Sequence, residues 1–176
     1  MTILLAVVGL GLLVFVHELG HFTASLALKM KPRKFYIGFP PAVLKRRHNG
    51  IEYGVGMIPL GGFVKIPGMH RPAPGDVDSA FARAFEESPS LSLSLPAERL
   101  RHGLATGDHD LARAALSTFA ELVANTQLSE HARADADKGL TDLGDALGPD
   151  AYWRARTWKR VLVIFAGPAA NIIFAF

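Results

Sequence analysis

Three residues near the start of the chain have the types and spacing of a hydrolytic metal site. His17 and His21 stand four positions apart, with Glu18 beside the first, in the run His17-Glu18-Leu19-Gly20-His21. On a helix, positions i and i+4 share a face, so both imidazoles can approach one zinc ion while Glu18 is placed to take a proton from water. Zinc makes water acidic near neutrality and polarises a carbonyl, the two requirements for cutting a peptide bond. The expected roles are metal ligation by His17 and His21, with Zn²⁺ as cofactor, and general-base catalysis by Glu18. The chain contains no cysteine, which excludes disulfides and thiolate ligands.

The element that must position these groups is strongly apolar. No charged residue occurs from Thr2 to Val16, and after His21 the apolar character resumes through Leu28. Read as one helix over residues 1–30, this is long enough to span a bilayer. Ionisable groups inside such a helix are costly and normally face a bundle interior or an aqueous cavity, where they have a function. A secretory signal is the competing reading, but it requires a basic leading region and a small-residue cleavage site. No Lys or Arg precedes Lys29, and the apolar run leads into His17-Glu18. A second uncharged segment runs from Val161 to Phe176. Its reach of about 24 Å is short of a hydrocarbon core of about 30 Å, so it reads as the truncated start of a second span that is expected to continue.

The formal charge of +3 conceals a split. Residues 70–150 hold 7 Lys+Arg and 14 Asp+Glu, and the remainder holds 12 basic residues against 2 acidic ones. The basic excess flanks the apolar segments, at Lys29, Lys31, Arg33 and Lys34 and again at Arg154, Arg156, Lys159 and Arg160. The positive-inside rule then predicts an extracytoplasmic N-terminus, with residues 30–156 on the cytoplasmic side of a multi-pass cell-membrane protein. Charge placed beside apolar spans, with no stripe on a soluble face, argues against nucleic acid as a partner and for the lipid bilayer. Trp153 and Trp158 are expected to anchor at the interface.

After Pro32 the pattern turns to strands. Asn49-Gly50 between two β-prone runs is a type I′ hairpin signal and predicts a hairpin across Val43 to Val55. Pro59-Leu60-Gly61-Gly62 reads as a second turn or bulge before a short strand at Phe63 to Ile66. Beyond the linker Pro72-Ala73-Pro74-Gly75 the composition shifts to Ala, Leu and acidic residues, with helices expected around 76–87, 96–106, 108–125 and 129–146. Gly107 should cap one helix, while Asp108 and Ser129 should open the next two. His70, His102, His109 and His131 lack ligand spacing and are expected to be solvated. The organisation read from these patterns is a transmembrane helix (1–30), a membrane-associated β-hairpin region (31–69), an α-helical cytoplasmic insert (70–150), and a basic flank with the start of a second transmembrane helix (151–176). The fold class is membrane α-helical.

Three blocks together resemble the site-2 protease family of intramembrane zinc metalloproteases: HELGH in the first helix, IGFPPAVLKRRHNGIEYGVGMIPLGGFVKIPGM from Ile37 to Met69, and TWKRVLVIFAGPAANIIFAF from Thr157 to Phe176. The insert over 70–150 is closest to actinobacterial-type members of the regulator-of-sigma-E-protease-like group, with this chain as an N-terminal fragment. The resemblance implies a membrane-dipping hairpin whose edge strand holds substrate extended, with Ile58, Pro59, Leu60, Gly61 and Gly62 as its substrate-binding stretch. It also implies a third zinc ligand, an Asp in a later transmembrane helix, for which this chain has no matching motif. Glu52 and His48 are the alternatives on the chain, although hairpin geometry already accounts for both. Asn171 and the Gly167-Pro168 pair can serve helix packing or substrate contact. The implied function is zinc-dependent cleavage of a transmembrane protein substrate such as an anti-sigma factor, in regulated intramembrane proteolysis. A non-catalytic membrane scaffold with a partner-binding insert is the alternative, and Glu18 argues against it because a purely structural metal site needs no base.

Overall fold

The protein is described by a computed structural model covering residues 1–176, with the side chains of Ile3, Leu4, Pro59 and Leu60 outside the described set. The chain divides into two compact units, Met1–Pro67 with Tyr152–Phe176, and Gly68–Ala151.

In the first unit, helix α1 runs Thr2–Ala27 and carries the His-Glu-x-x-His run. It ends five residues before Pro32, by a Schellman closure. Met30 N–H donates to Ser25 O at 2.8 Å and Lys29 N–H to Leu26 O at 3.0 Å, with Lys29 left-handed at φ 67. A non-glycine residue in that conformation is uncommon. Here it turns the chain so that Met30 is buried against Ala24 and Leu28.

Two long strands follow, β1 (Lys34–His48) and β2 (Ile51–Lys65). Asn49 and Gly50 both have positive φ, as a type I′ turn requires, and His48 pairs with Ile51. Each strand bends, so they pair more than once. The first part of β1, Lys34 to Ile37, lies between both ends of β2: it runs beside Glu52 to Val55 with numbers rising together, and beside Gly62 to Lys65 with numbers opposed. The expected strand at Phe63 to Ile66 is thus the outer end of β2, and the expected turn at 59–62 lies within the bent strand. Phe35 and Ile51 pack under Phe22 of α1, which ties the sheet to the helix that bears the motif.

Helix α8 (Thr157–Ala175) closes this unit. Its start is held by Tyr152, whose N–H donates to Pro67 O at 2.9 Å and whose hydroxyl donates to Arg160 O at 3.1 Å. Contacts pair His21 with Val163 and His17 with Asn171, so α8 runs antiparallel to α1. Both helices are long and apolar enough to cross a membrane; the second segment, expected to fall short from Val161, gains a further turn because α8 begins at Thr157.

The second unit is helical: α2 (Pro74–Ala80), α3 (Ala82–Glu87), α4 (Pro89–Ser92), α5 (Leu95–Thr106), α6 (His109–Asn125) and α7 (Glu130–Leu147). The helix expected over 76–87 is broken at Phe81, whose buried ring turns inward onto Phe119. Gly107 caps α5 at φ 77, and the side chains of Asp108 and Ser129 accept from Leu111 and Ala132 N–H. The core gathers Val77, Phe81, Leu100, Phe119, Val123 and Leu147. His70, His102 and His131 are exposed as expected, whereas His109 is half-buried.

Candidate metal and proteolytic site

The four-residue spacing of His17 and His21 sets their side chains one turn apart on α1. Their Nε2 atoms face each other at 3.1 Å, with the rings edge-on at 78°. Two nitrogens on one tetrahedral zinc ion with bonds of about 2.0–2.1 Å stand about 3.3–3.4 Å apart, so the pair fits a shared metal. Glu18 sits beside the pair, half-buried, and its carboxylate accepts the backbone N–H of Val64 on β2.

Helix α8 supplies the rest of the wall. His21 Nδ1–H donates to the carbonyl of Val163 at 2.7 Å, which leaves Nε2 with a free lone pair, the form a metal ligand needs. Asn171 Nδ2 lies 3.3 Å from His17 Nδ1, and its Oδ1 is buried with no hydrogen-bond partner among the described residues. Val163, Gly167 and Asn171 follow at four-residue intervals and so share one face of α8. The sequence left Gly167 and Asn171 between packing and substrate contact. The structure places both against the imidazoles, and that spacing, matching the spacing of the histidines, was the signal available.

Helix α1 can approach α8 this closely because Gly20 lies against Ala166 O and Ala170, where any Cβ would collide. Pro168 removes one helical N–H next to Gly167.

The region expected to bind substrate is only partly at this site. Gly62 is adjacent: a Cβ there would lie 3.1 Å from Glu18 Cγ. Gly61, at φ 126, is covered by the Phe39 ring, and Ile58 pairs with Phe39 while its side chain stays exposed. The backbones of Pro59 and Leu60 lie in β2, and their side chains lie outside the described residues. Glu52 accepts from the Tyr36 hydroxyl at 2.7 Å and pairs with Lys34 at 3.3 Å, while His48 occupies the hairpin turn. Among the described residues, no group of three or more His, Cys, Asp or Glu side chains gathers to hold a metal, so the site presents two imidazoles and a carboxylate beside them.

Comparison with known proteins agrees with this geometry. The chain is 47% identical over 172 residues to a candidate zinc metalloprotease of Chlamydia pneumoniae, covering 98% of this chain and 18% of that protein. It is 28% identical to one of Chlamydia trachomatis, covering 97% of this chain and 18% of that protein, and 28% identical to one of Borreliella burgdorferi, covering 100% and 26%. The chain therefore spans about a fifth to a quarter of the length of these relatives. The profile of peptidase family M50 matches residues 5–176, and the chain belongs to that family, the site-2 protease family of metallopeptidases.

Proposed function

We propose that this chain carries two zinc ligands and the general base of a membrane endopeptidase that cleaves transmembrane segments of membrane-bound regulatory proteins, anti-sigma factors among them. The observation that carries the reading is the meeting of His17 Nε2 and His21 Nε2 at 3.1 Å, with Glu18 alongside and an edge strand next to Glu18.

His17 and His21 hold the metal through Nε2, and a third protein ligand comes from a part of the whole protein outside this chain. When bound, zinc supplies Lewis acidity, which acidifies the attacking water and polarises the scissile carbonyl. Glu18 takes the water's proton and later delivers it to the leaving amine. The N–H of Val64 fixes the direction of the Glu18 carboxylate. A peptide bond in an intact helix is a poor substrate, since its carbonyl is already hydrogen-bonded within the helix. The segment Gly62 to Lys65 pairs on one side with Lys34 to Ile37, and no strand covers its other side among the described residues. A substrate segment added there as a strand presents its carbonyls in extended form beside Glu18, with Gly62 the member of the Ile58 to Gly62 stretch that lies on this edge. Exposed Phe39, Val43, Leu44, Met57 and Ile58 support contact of the hairpin with lipid. The candidate zinc metalloproteases above support the choice of metal and reaction.

The test is zinc content and cleavage of a transmembrane reporter by the whole protein in detergent or vesicles. Glu18→Gln should keep zinc and lose about 10²–10⁴-fold in rate, since the amide accepts no proton. His17→Ala and His21→Ala should lose the metal. Undiminished cleavage by Glu18→Gln would remove this mechanism, and a wild-type protein that holds zinc but cuts nothing would favour a scaffold.

A further inference from the structure

A histidine ligates a metal only through a nitrogen with a free lone pair, and the partner of the other nitrogen decides which one that is. For His21 the partner is fixed in kind, because the Val163 carbonyl at 2.7 Å can only accept, so Nδ1 carries the hydrogen and Nε2 is free. For His17 the partner is the Asn171 amide, which can donate through Nδ2 or accept through Oδ1.

With Nδ2 donating, one continuous set of hydrogen bonds satisfies the rings without metal. Asn171 Nδ2–H donates to His17 Nδ1, His17 Nε2–H to His21 Nε2, and His21 Nδ1–H to Val163 O, at 3.3, 3.1 and 2.7 Å. That arrangement uses up both Nε2 positions and leaves Asn171 Oδ1 buried without a partner. Ligation through His17 Nε2 requires its hydrogen to sit on Nδ1 instead. A half-turn of the Asn171 amide then brings Oδ1 to meet that hydrogen in the same place.

We propose that Asn171 is the positioning residue of His17: its carbonyl oxygen accepts the Nδ1–H of His17 whenever Nε2 is a metal ligand, as the Val163 carbonyl does for His21. The proposal rests on the reading that His17 holds zinc. Helix α8 thus carries one acceptor for each imidazole, two turns apart, with Gly167 midway between them leaving room for the rings. An asparagine in the otherwise apolar run from Val161 to Phe176 is costly unless such a partner satisfies it.

The experiment is zinc affinity of the whole protein in detergent, read by competition with a chromophoric chelator, for wild type, Asn171→Leu, Asn171→Asp and His17→Ala. Loss of an orienting partner should weaken zinc by about 10–100-fold in Asn171→Leu. Asn171→Asp, the same shape with acceptors only, should bind at wild-type strength or tighter. If the side chain merely fills the helix interface the order reverses, with Leu tolerated and the buried carboxylate impaired, and the proposal fails. Should Asn171→Leu misfold, Asn171→Asp decides alone, since a loss of tenfold or more there overturns the assignment. His17→Ala separates the two levels: wild-type zinc binding in that variant removes the underlying reading, whereas loss of zinc there with full binding in Asn171→Leu overturns the role of Asn171 alone.

Discussion

Gly167 on α8 meets His17 on α1 with no room for a methyl group between them. A Cβ at Gly167 would stand 2.7 Å from His17 Nε2 and closer still to His21 Nε2, well inside the about 3.5 Å at which non-bonded heavy atoms attract. Gly167→Ala must therefore push either the rings or the helices apart. Overpacking of this kind costs about 1–3 kcal/mol. Placed on the proposed ligand pair, it should weaken zinc binding by about tenfold to a hundredfold, while helical content measured by circular dichroism stays at the wild-type level. Ala169→Gly, at an exposed position on the same helix, is the control and should leave zinc affinity unchanged.

The motif, the hairpin and the helices of the insert were legible because each rests on local rules. The i, i+4 spacing put His17 and His21 together, Asn49-Gly50 set the turn, and Asp108 and Ser129 cap as their types demand. What depended on two distant segments meeting was less legible. That Asn171 reaches His17 across 154 positions is a fact of how α1 and α8 pack, and periodicity within either helix does not give their register. The double use of Lys34 to Ile37, with both ends of β2 as neighbours, likewise needs bends that a strand pattern does not encode. The break at Phe81 shows the core overriding helical continuity, since burial of that ring against Phe119 outweighs the turn it interrupts.

Tyr36 and Glu52 tie the two strands at the base of the hairpin. The hydrogen bond from Tyr36 holds the Glu52 carboxyl below its ordinary value of 4.5, with Lys34 assisting, and the same bond raises the Tyr36 hydroxyl above 10.0. A depressed carboxyl stabilises above its unfolded value, and that part is lost as pH falls through the folded one. A raised phenol stabilises below its unfolded value, and that part is lost as pH rises through the folded one. Tyr36→Phe should therefore weaken the hairpin by about 1 kcal/mol near neutrality, seen as faster amide exchange at Tyr53 and Val55. The difference from wild type should be flat between those limits and shrink in acid and in strong alkali. A difference that persists undiminished in acid would exclude the ion-assisted bond as its cause.

Topology offers a separate check on the charge reading. The basic clusters at Lys29 to Lys34 and Arg154 to Arg160 flank the two apolar helices, so the segment between them should remain on the cytoplasmic side. A phosphatase reporter joined near Gly107 should be inactive, and a fluorescent reporter at the same place bright. Phosphatase activity there would invert the orientation, and the edge strand would then meet substrates from the other face of the membrane.

The helical unit Gly68–Ala151 has its own core and should fold when expressed alone as residues 68–151, soluble and helical by circular dichroism. Its central contact is the edge-to-face pair of Phe81 and Phe119, with centroids 4.9 Å apart and both side chains fully buried. Phe85 completes the cluster, with its ring 6.0 Å from Phe81 and 6.1 Å from Phe119. Truncating a buried phenylalanine costs about 3–5 kcal/mol through lost transfer energy and the cavity left behind. A domain of this size is stable by roughly 0.05–0.15 kcal/mol per residue, so the loss is a large share of the total. Phe119→Ala should lower the urea midpoint steeply or leave the unit unfolded at 25 °C. Leu93→Ala, at a side chain 77% exposed, should shift stability by no more than about 0.5 kcal/mol. If the two substitutions cost the same, the fold of this unit is not organised around the Phe81–Phe119 contact.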